Sequence, residues 1–237
     1  MSQTTIDDAS PHQFEASLAA SKTIDWHDAE VASYSQKITA AIEGDIDRAV
    51  ALYYAVRDDI RYDPYSFDVN PASFAASVTL KAGIGWCVPK AILLAACCRS
   101  IGIPARLGFA DVKNHLSTAR MRETMKTDVF HWHGYTSLFL NGRWVKATPA
   151  FNIELCEKFG LKPLEFDGLQ DSIYHEFDQA GNRHMEYLLE RGEFDEVPFE
   201  DMMRVFGEVY GDMVASAELS DHSFDEDVDL EVSPNHS

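Results

Sequence analysis

Cys87 is the first residue in this 237-residue chain whose type and setting suggest chemistry. The stretch GIGWCVPKAILLAACCRSIGIPARLGFADVKNH, residues 83–115, places it behind a Gly and a Trp, while Cys97 and Cys98 sit together in an apolar run. Pro89 suits a first helical turn, where its missing N–H costs nothing, and Gly102 with Pro104 marks the end of that helix. AILLAACC is apolar all round, the pattern of a helix surrounded by core. Cys97 and Cys98 are therefore read as small buried hydrophobes. Cys87 falls at or just before the helix start, where unpaired N–H groups and the macrodipole favour a thiolate. That position is expected to pull its pKa from roughly 8.5 toward neutrality or below.

A thiol nucleophile needs a base, and VFHWHGYTSLFLNGRWVKATPAFN supplies two imidazoles. Asn141-Gly142 between runs of Phe, Tyr, Leu, Trp and Val is a hairpin signal. With those two residues as the turn, Leu140 faces Arg143 and Phe139 faces Trp144. Alternation then puts His131, His133, Tyr135, Ser137 and Phe139 on one face with Trp144, Lys146 and Thr148. A cysteine at a helix start and a histidine on a strand form the arrangement a Cys/His pair requires, although spacing does not show that they meet.

The elements that must position these groups are legible by periodicity. A weaker helix is expected over Asp28–Glu43, where Val31, Tyr34, Ile38 and Ile42 share a face. A stronger one starts from Asp45 as N-cap, with Ala49, Leu52, Tyr53, Val56 and Ile60 at helical spacing. DPYSFDVNPAS reads as a loop, followed by a short helix over Ser73–Lys81. A helix from about Phe199 has Phe199, Met202, Met203, Phe206, Val209 and Tyr210 on one face.

GWCVPKAILLAACCRSIGIPAR followed by HGYTSLFLNGRWVKATPAFN resembles the core of the transglutaminase-like superfamily, and YYAVRDDIRYD resembles the segment that precedes its cysteine. The likeness runs from about Asp45 to Asn152. It implies a papain-like α+β fold, the transglutaminase-core cysteine proteinase fold, with a nucleophile helix packed on an antiparallel sheet. It also implies thiol acyl transfer or amide and peptide hydrolysis without a cofactor or metal. By resemblance Cys87 is the nucleophile and His133 the base. At the place of the family's histidine-orienting aspartate this chain has Thr148, in WVKATPAFN. In the proposed register Thr148 lies diagonally across from His133, so its hydroxyl is expected to accept a hydrogen bond from the imidazole. Asn152 competes for that role but is expected to be occupied as the N-cap of a helix in NIELCEKFG.

Composition restricts the alternatives. A net charge of -19 argues against nucleic acid or an anionic membrane surface as partner. The N-terminus shows no signal-peptide pattern and no apolar run of spanning length occurs, so a cytoplasmic protein with reduced thiols, acting on a peptide or amide, is expected. The organisation reads as a helical segment over 1–44, a catalytic core over 45–152, an extension packed on it over 153–216, and an acidic, disordered tail over 217–237, which lacks Lys and Arg. Two other functions stay open. One is a catalytically silent fold that binds peptide or serves assembly, and the other is a zinc site built on Cys87, His131 and His133. Trp86 is read as packing, Asp111 as a turn residue, His131 as a cleft or surface residue and not the base, and His115, His175 and His184 as structural or surface histidines.

Overall fold

The computed structural model describes residues 11–114, 118–173, 185–211 and 223–232. His115, His175 and His184 lie outside the described residues. After a 3-10 turn at Pro11–Phe14, the helices are α1 (Glu15–Leu18), α2 (Ala29–Thr39), α3 (Asp45–Asp59), α4 (Ala76–Ala82), α5 (Cys87–Ser100), α6 (Ala119–Met125), α7 (Ile153–Phe159), α8 (Phe199–Val209) and α9 (Phe224–Val232). The strands are β1 (Arg61–Tyr62), β2 (Ile84–Gly85), β3 (Ala105–Asn114), β4 (Val129–Leu140), β5 (Arg143–Ala147) and β6 (Met185–Phe194). β5-β4-β3-β6 form an antiparallel sheet, and β1 and β2 make a two-residue parallel pair beside it.

Helix α5 occupies the centre, as its all-round apolar sequence requires. Every residue from Cys87 to Arg99 is buried. One side meets α2, α3 and α4, and the other lies on β3 and β4. Thr136 of β4 donates its hydroxyl to the Ala91 carbonyl at 2.8 Å. Lys90, fully buried, donates to the carbonyls of Arg57 and Ile60, the negative end of α3. These two ties fix the helix against a strand and against a neighbouring helix, so the position of its first residue is set from both sides. The arrangement is the α+β, papain-like one, the Cys87-bearing helix packed on an antiparallel sheet.

Several elements differ from expectation in instructive ways. α2 begins with Asp28 capping the N–H groups of Glu30 and Val31 but ends at Thr39, short of Glu43. Gly44, with φ 83°, is the cap of α3, and Asp45 is in its first turn, where a carboxylate favours the positive helix end. The short helix expected over Ser73–Lys81 is a 3-10 turn at Pro71–Phe74 followed by α4, which Gly83 stops in the left-handed region. The β4-β5 hairpin has the expected register, Leu140 opposite Arg143 and Phe139 opposite Trp144, with φ 49° at Asn141 and 81° at Gly142.

Within the stretch read as an acidic tail, residues 224–232 form α9. α9 buries Phe224 against Tyr62, Tyr65 and Phe159, and Val228 completely. Asp225 pairs with Arg61 at 2.9 Å, Asp229 with Lys158 at 2.8 Å, and Asp227 accepts the Tyr65 hydroxyl at 2.7 Å. The tail lacks basic residues of its own, but β1 and α7 provide them, and two apolar side chains four residues apart anchor one helix face. The stretch over 153–216 contributes β6 as an edge of the main sheet, paired with β3. Among the described residues no helix is long and apolar enough to cross a membrane.

Candidate active site

Trp86 caps the start of α5, so Cys87 is its first residue. Strand β4 approaches that first turn closely because Gly134 has no side chain. A Cβ there would lie 3.0 Å from the Cα of Val88. The approach brings the Gly134 N–H, with the N–H groups of Val88 and Cys87, against the Cys87 sulfur. Gly134 was missed in the sequence, though a lone Gly in a strand of bulky residues is the usual sign of a close backbone approach.

Cys87 and His133 line one cavity of about 50 Å³, with Tyr62, Phe67, Trp86, Met125, Phe206 and Tyr210 among its walls. Trp86 both packs, on Phe67, Phe74 and Phe206, and faces this cleft. Cys87 is 6% and His133 5% exposed. Burial pushes the Cys87 thiol up to about 11, against the lowering effect of the three N–H groups. Burial also pushes His133 down to about 4. The expectation that the helix start would draw the thiol toward neutrality is thus corrected, because desolvation outweighs the helix end. At neutral pH the Cys87 thiol and the His133 imidazole therefore both rest neutral.

The partner expected for His133 is not in place. Its Nε2 is buried and has no hydrogen-bond partner. Thr148 lines a second, small cavity of about 10 Å³ together with His133, but its hydroxyl donates to the Ile173 carbonyl at 3.0 Å. That bond, alongside Thr148 N–H to Ser172 O at 2.8 Å, ties Thr148 to the 172–173 segment, and no hydrogen bond joins its hydroxyl to the His133 Nε2. Asn152 does not fill the role either, nor does it cap α7 with its side chain. Its Oδ1 accepts the Tyr62 N–H at 3.0 Å, and Asp58 caps the helix by accepting from Ile153 N–H at 3.0 Å.

An aspartate does orient a histidine in this site, and the histidine is His131. Asp111 is a buried residue of β3, not a turn residue. It meets His131 Nδ1 at 2.9 Å, accepts the Trp132 N–H at 3.1 Å, and is gripped by Arg191 through Nε at 2.5 Å and Nη2 at 2.7 Å. Those hydrogen bonds, opposed by burial, hold its carboxyl below the usual carboxylate range. Simple alternation did not anticipate this because β4 carries a bulge here. His131 and Trp132 together oppose Asp111, and Trp132 has φ 59°. Tyr210 of the α8 terminus pins the bulge, accepting the His131 N–H at 2.8 Å and donating to the Val129 carbonyl at 3.0 Å. A buried Asp in the apolar strand ARLGFADVKN was the available sequence signal, since an aspartate is seldom fully buried without a partner.

His131 lines the same cavity as Cys87 and His133. Yet among the described residues no group of three or more His, Cys, Asp or Glu side chains is placed to hold a metal ion. The zinc set of Cys87, His131 and His133 is corrected on that geometry.

No curated protein matches the chain. Among solved structures it is similar to a candidate cysteine protease from Cytophaga hutchinsonii, with 17% identity and a TM-score of 0.47 over 80% of this chain and 56% of that one. It is also similar to a candidate protease from Parabacteroides distasonis, with 14% identity and a TM-score of 0.37 over 56% of this chain and 26% of that one. The chain therefore spans about half the length of the first and a quarter of the second. Residues 32–149, which hold α5, β3, the β4-β5 hairpin, Cys87 and His133, match the family model of the transglutaminase-like superfamily. Through this segment the chain belongs to the transglutaminase-like superfamily.

Proposed function

We propose that the protein is a cysteine hydrolase or acyltransferase in which Cys87 attacks an amide or ester carbonyl and His133 is its base. The observation that carries this reading is the shared cavity, lined by Cys87, whose sulfur at the first residue of α5 lies under the Gly134 and Val88 N–H groups, and by His133. Because thiol and imidazole both rest neutral, the thiol proton moves to His133 as the S–C bond forms. His133 then passes that proton to the leaving nitrogen or oxygen, and a thioester remains on Cys87. Water or an amine acting on the thioester completes hydrolysis or transfer. The Cys87 backbone N–H, at the helix start, is suited to the developing oxyanion. Walls of Phe67, Trp86, Met125 and Phe206 favour an apolar group next to the scissile bond.

Purified protein tested on a panel of peptides and amides, with Cys87→Ala as control, should reveal turnover that the control lacks. Turnover equal in both would remove Cys87 from the reaction. A second reading, a fold that binds peptide without turning it over, is favoured by one observation, the unpartnered Nε2 of His133. Peptide mapping after brief iodoacetamide treatment separates the two. The enzyme reading expects Cys87, 6% exposed on the cavity it shares with His133, to label at least about tenfold faster than Cys97, Cys98 or Cys156, each 0% exposed. Labelling of Cys87 no faster than these would favour the binding reading.

A further inference from the structure

The cavity holds two imidazoles and the thiol proton needs one. His133 is 5% exposed and lines the cavity with the buried sulfur. The His131 side chain, on the same cavity, is 22% exposed, so it is the imidazole more open to a second substrate. The groups facing His131 come from every neighbouring element: Asp111 on β3, Arg191 on β6, Tyr210 after α8, and Cys87 with His133 across the cavity. Asp111 is ionised and can only accept, and Arg191 can only donate. The contact to Asp111 is 2.9 Å and that to Arg191 Nη2 is 3.5 Å, so the carboxylate decides the tautomer. Nδ1 carries the proton. Nε2 is left as a lone pair, held in one orientation by a carboxylate that is itself fixed by a guanidinium and a backbone N–H. An Asp–His pair of this kind is the arrangement by which a neutral imidazole is made ready to take a proton and its imidazolium is stabilised.

We infer that His131 is the acid–base residue of the second half-reaction, acting on the acyl acceptor while His133 serves the thiol. The inference rests on the thioester reading proposed above. As the oxygen of water, or the nitrogen of an amine, bonds to the thioester carbonyl carbon, His131 Nε2 takes the acceptor's proton. The tetrahedral adduct then breaks its C–S bond, and the Cys87 thiolate leaves and recovers that proton, directly from His131 or by way of His133. The products are an acid or a new amide and the free thiol, with no net proton gained by the protein. Asp111 and Arg191 are positioning residues in this scheme. The aspartate that the superfamily pattern places behind the thiol's own histidine is replaced here by one behind the acceptor's histidine.

The test uses 4-nitrophenyl acetate and follows the two half-reactions apart. Nitrophenol release reports acylation, and intact mass with peptide mapping reports formation and decay of acetyl-Cys87 after excess ester is removed. His131→Asn is the informative variant, because the amide N–H can still donate to Asp111 while the Nε2 base is gone. The expected result is acylation within about threefold of wild type, with decay of the acetyl-enzyme slowed about a hundredfold and partly restored by added imidazole. His133→Asn should instead prevent acylation. Loss of acylation in His131→Asn to the same degree as in His133→Asn would overturn the proposal by making His131 the thiol's base. Unchanged decay of the acetyl-enzyme would overturn it by making His131 structural. Ring nitrogen shifts of His131 in the wild-type protein give a check independent of any variant's folding, and an Nε2–H tautomer would overturn the proposal. A wild-type protein that forms no acetyl-Cys87 would defeat the thioester reading itself, a failure distinct from these.

Discussion

Two histidines two residues apart on β4 have opposite environments. His133 is enclosed, its Nε2 has no partner, and burial alone sets its pKa. His131 is more open and is tied to Asp111, Arg191 and, through its backbone, Tyr210. Stripping an imidazole of partners keeps it neutral by making the charged form expensive, whereas an aspartate keeps the ring oriented and tolerant of charge. The bulge at Trp132 allows one strand to present both kinds of imidazole to a single cavity. The difference teaches that family position and local chemistry need not coincide. By resemblance His133 takes the place of the family's histidine, yet it is His131 that has an aspartate partner.

The largest way to sharpen that contrast is His133→Ala, which should lower turnover about a hundredfold or more while lowering the thermal midpoint by no more than the lost packing of the ring, since no hydrogen bond at Nε2 is lost. A large fall in the midpoint, read by calorimetry, would show that the isolation of His133 has been misread. On the other side, Arg191→Ala leaves a buried carboxylate with less compensation and should destabilise by about 3 kcal/mol in urea unfolding. A change below about 1 kcal/mol would mean that the Asp111 cluster is not a tight unit.

The two sides should also separate in an acid titration of stability. His133 has a folded pKa near 4, below its ordinary 6.5, so the unfolded chain binds the extra proton between those values. Stability from this group is full above 6.5 and falls as pH drops toward 4, by up to about 3 kcal/mol. Asp111 has a lowered folded pKa, so its contribution is full above about 3.8 and is lost only at still lower pH. Urea midpoints from pH 7 to pH 3 should therefore lose the first component before the second. His133→Ala should remove the first component, and persistence of that loss in the variant would refute the assignment. The smallest effect concerns Thr148→Val, which breaks the bond to Ile173 O and should cost about 1 kcal/mol with turnover changed less than about threefold. A turnover loss comparable to that of His133→Ala would restore Thr148 as the orienting group.

Legibility followed the range of the interactions. Pro89, the apolar run and Gly102 made α5 readable, and Asn141-Gly142 made the hairpin and its register readable, because each depends on residues close in sequence. Cys87 and His133 were singled out by type and setting together with the resemblance, and the fold places both on one cavity. The Thr148 and Asn152 hydroxyl and amide were assigned partners by proximity in the pattern, but the tertiary fold gave them others, Ile173 and Tyr62. α9 was unreadable because its charges find Arg61 and Lys158 on distant elements.

By itself, then, the sequence determined the helix that carries the thiol, the strand that carries the imidazoles and the turn that sets their pairing, since periodicity and turn chemistry are local. Only the tertiary structure decided how Cys87 and His131 are tuned. Desolvation of the thiol depends on everything packed around the start of α5. The Asp111–His131–Arg191 cluster requires β3, β4 and β6 to align around a bulge. No stretch of one strand records how its neighbours will pair.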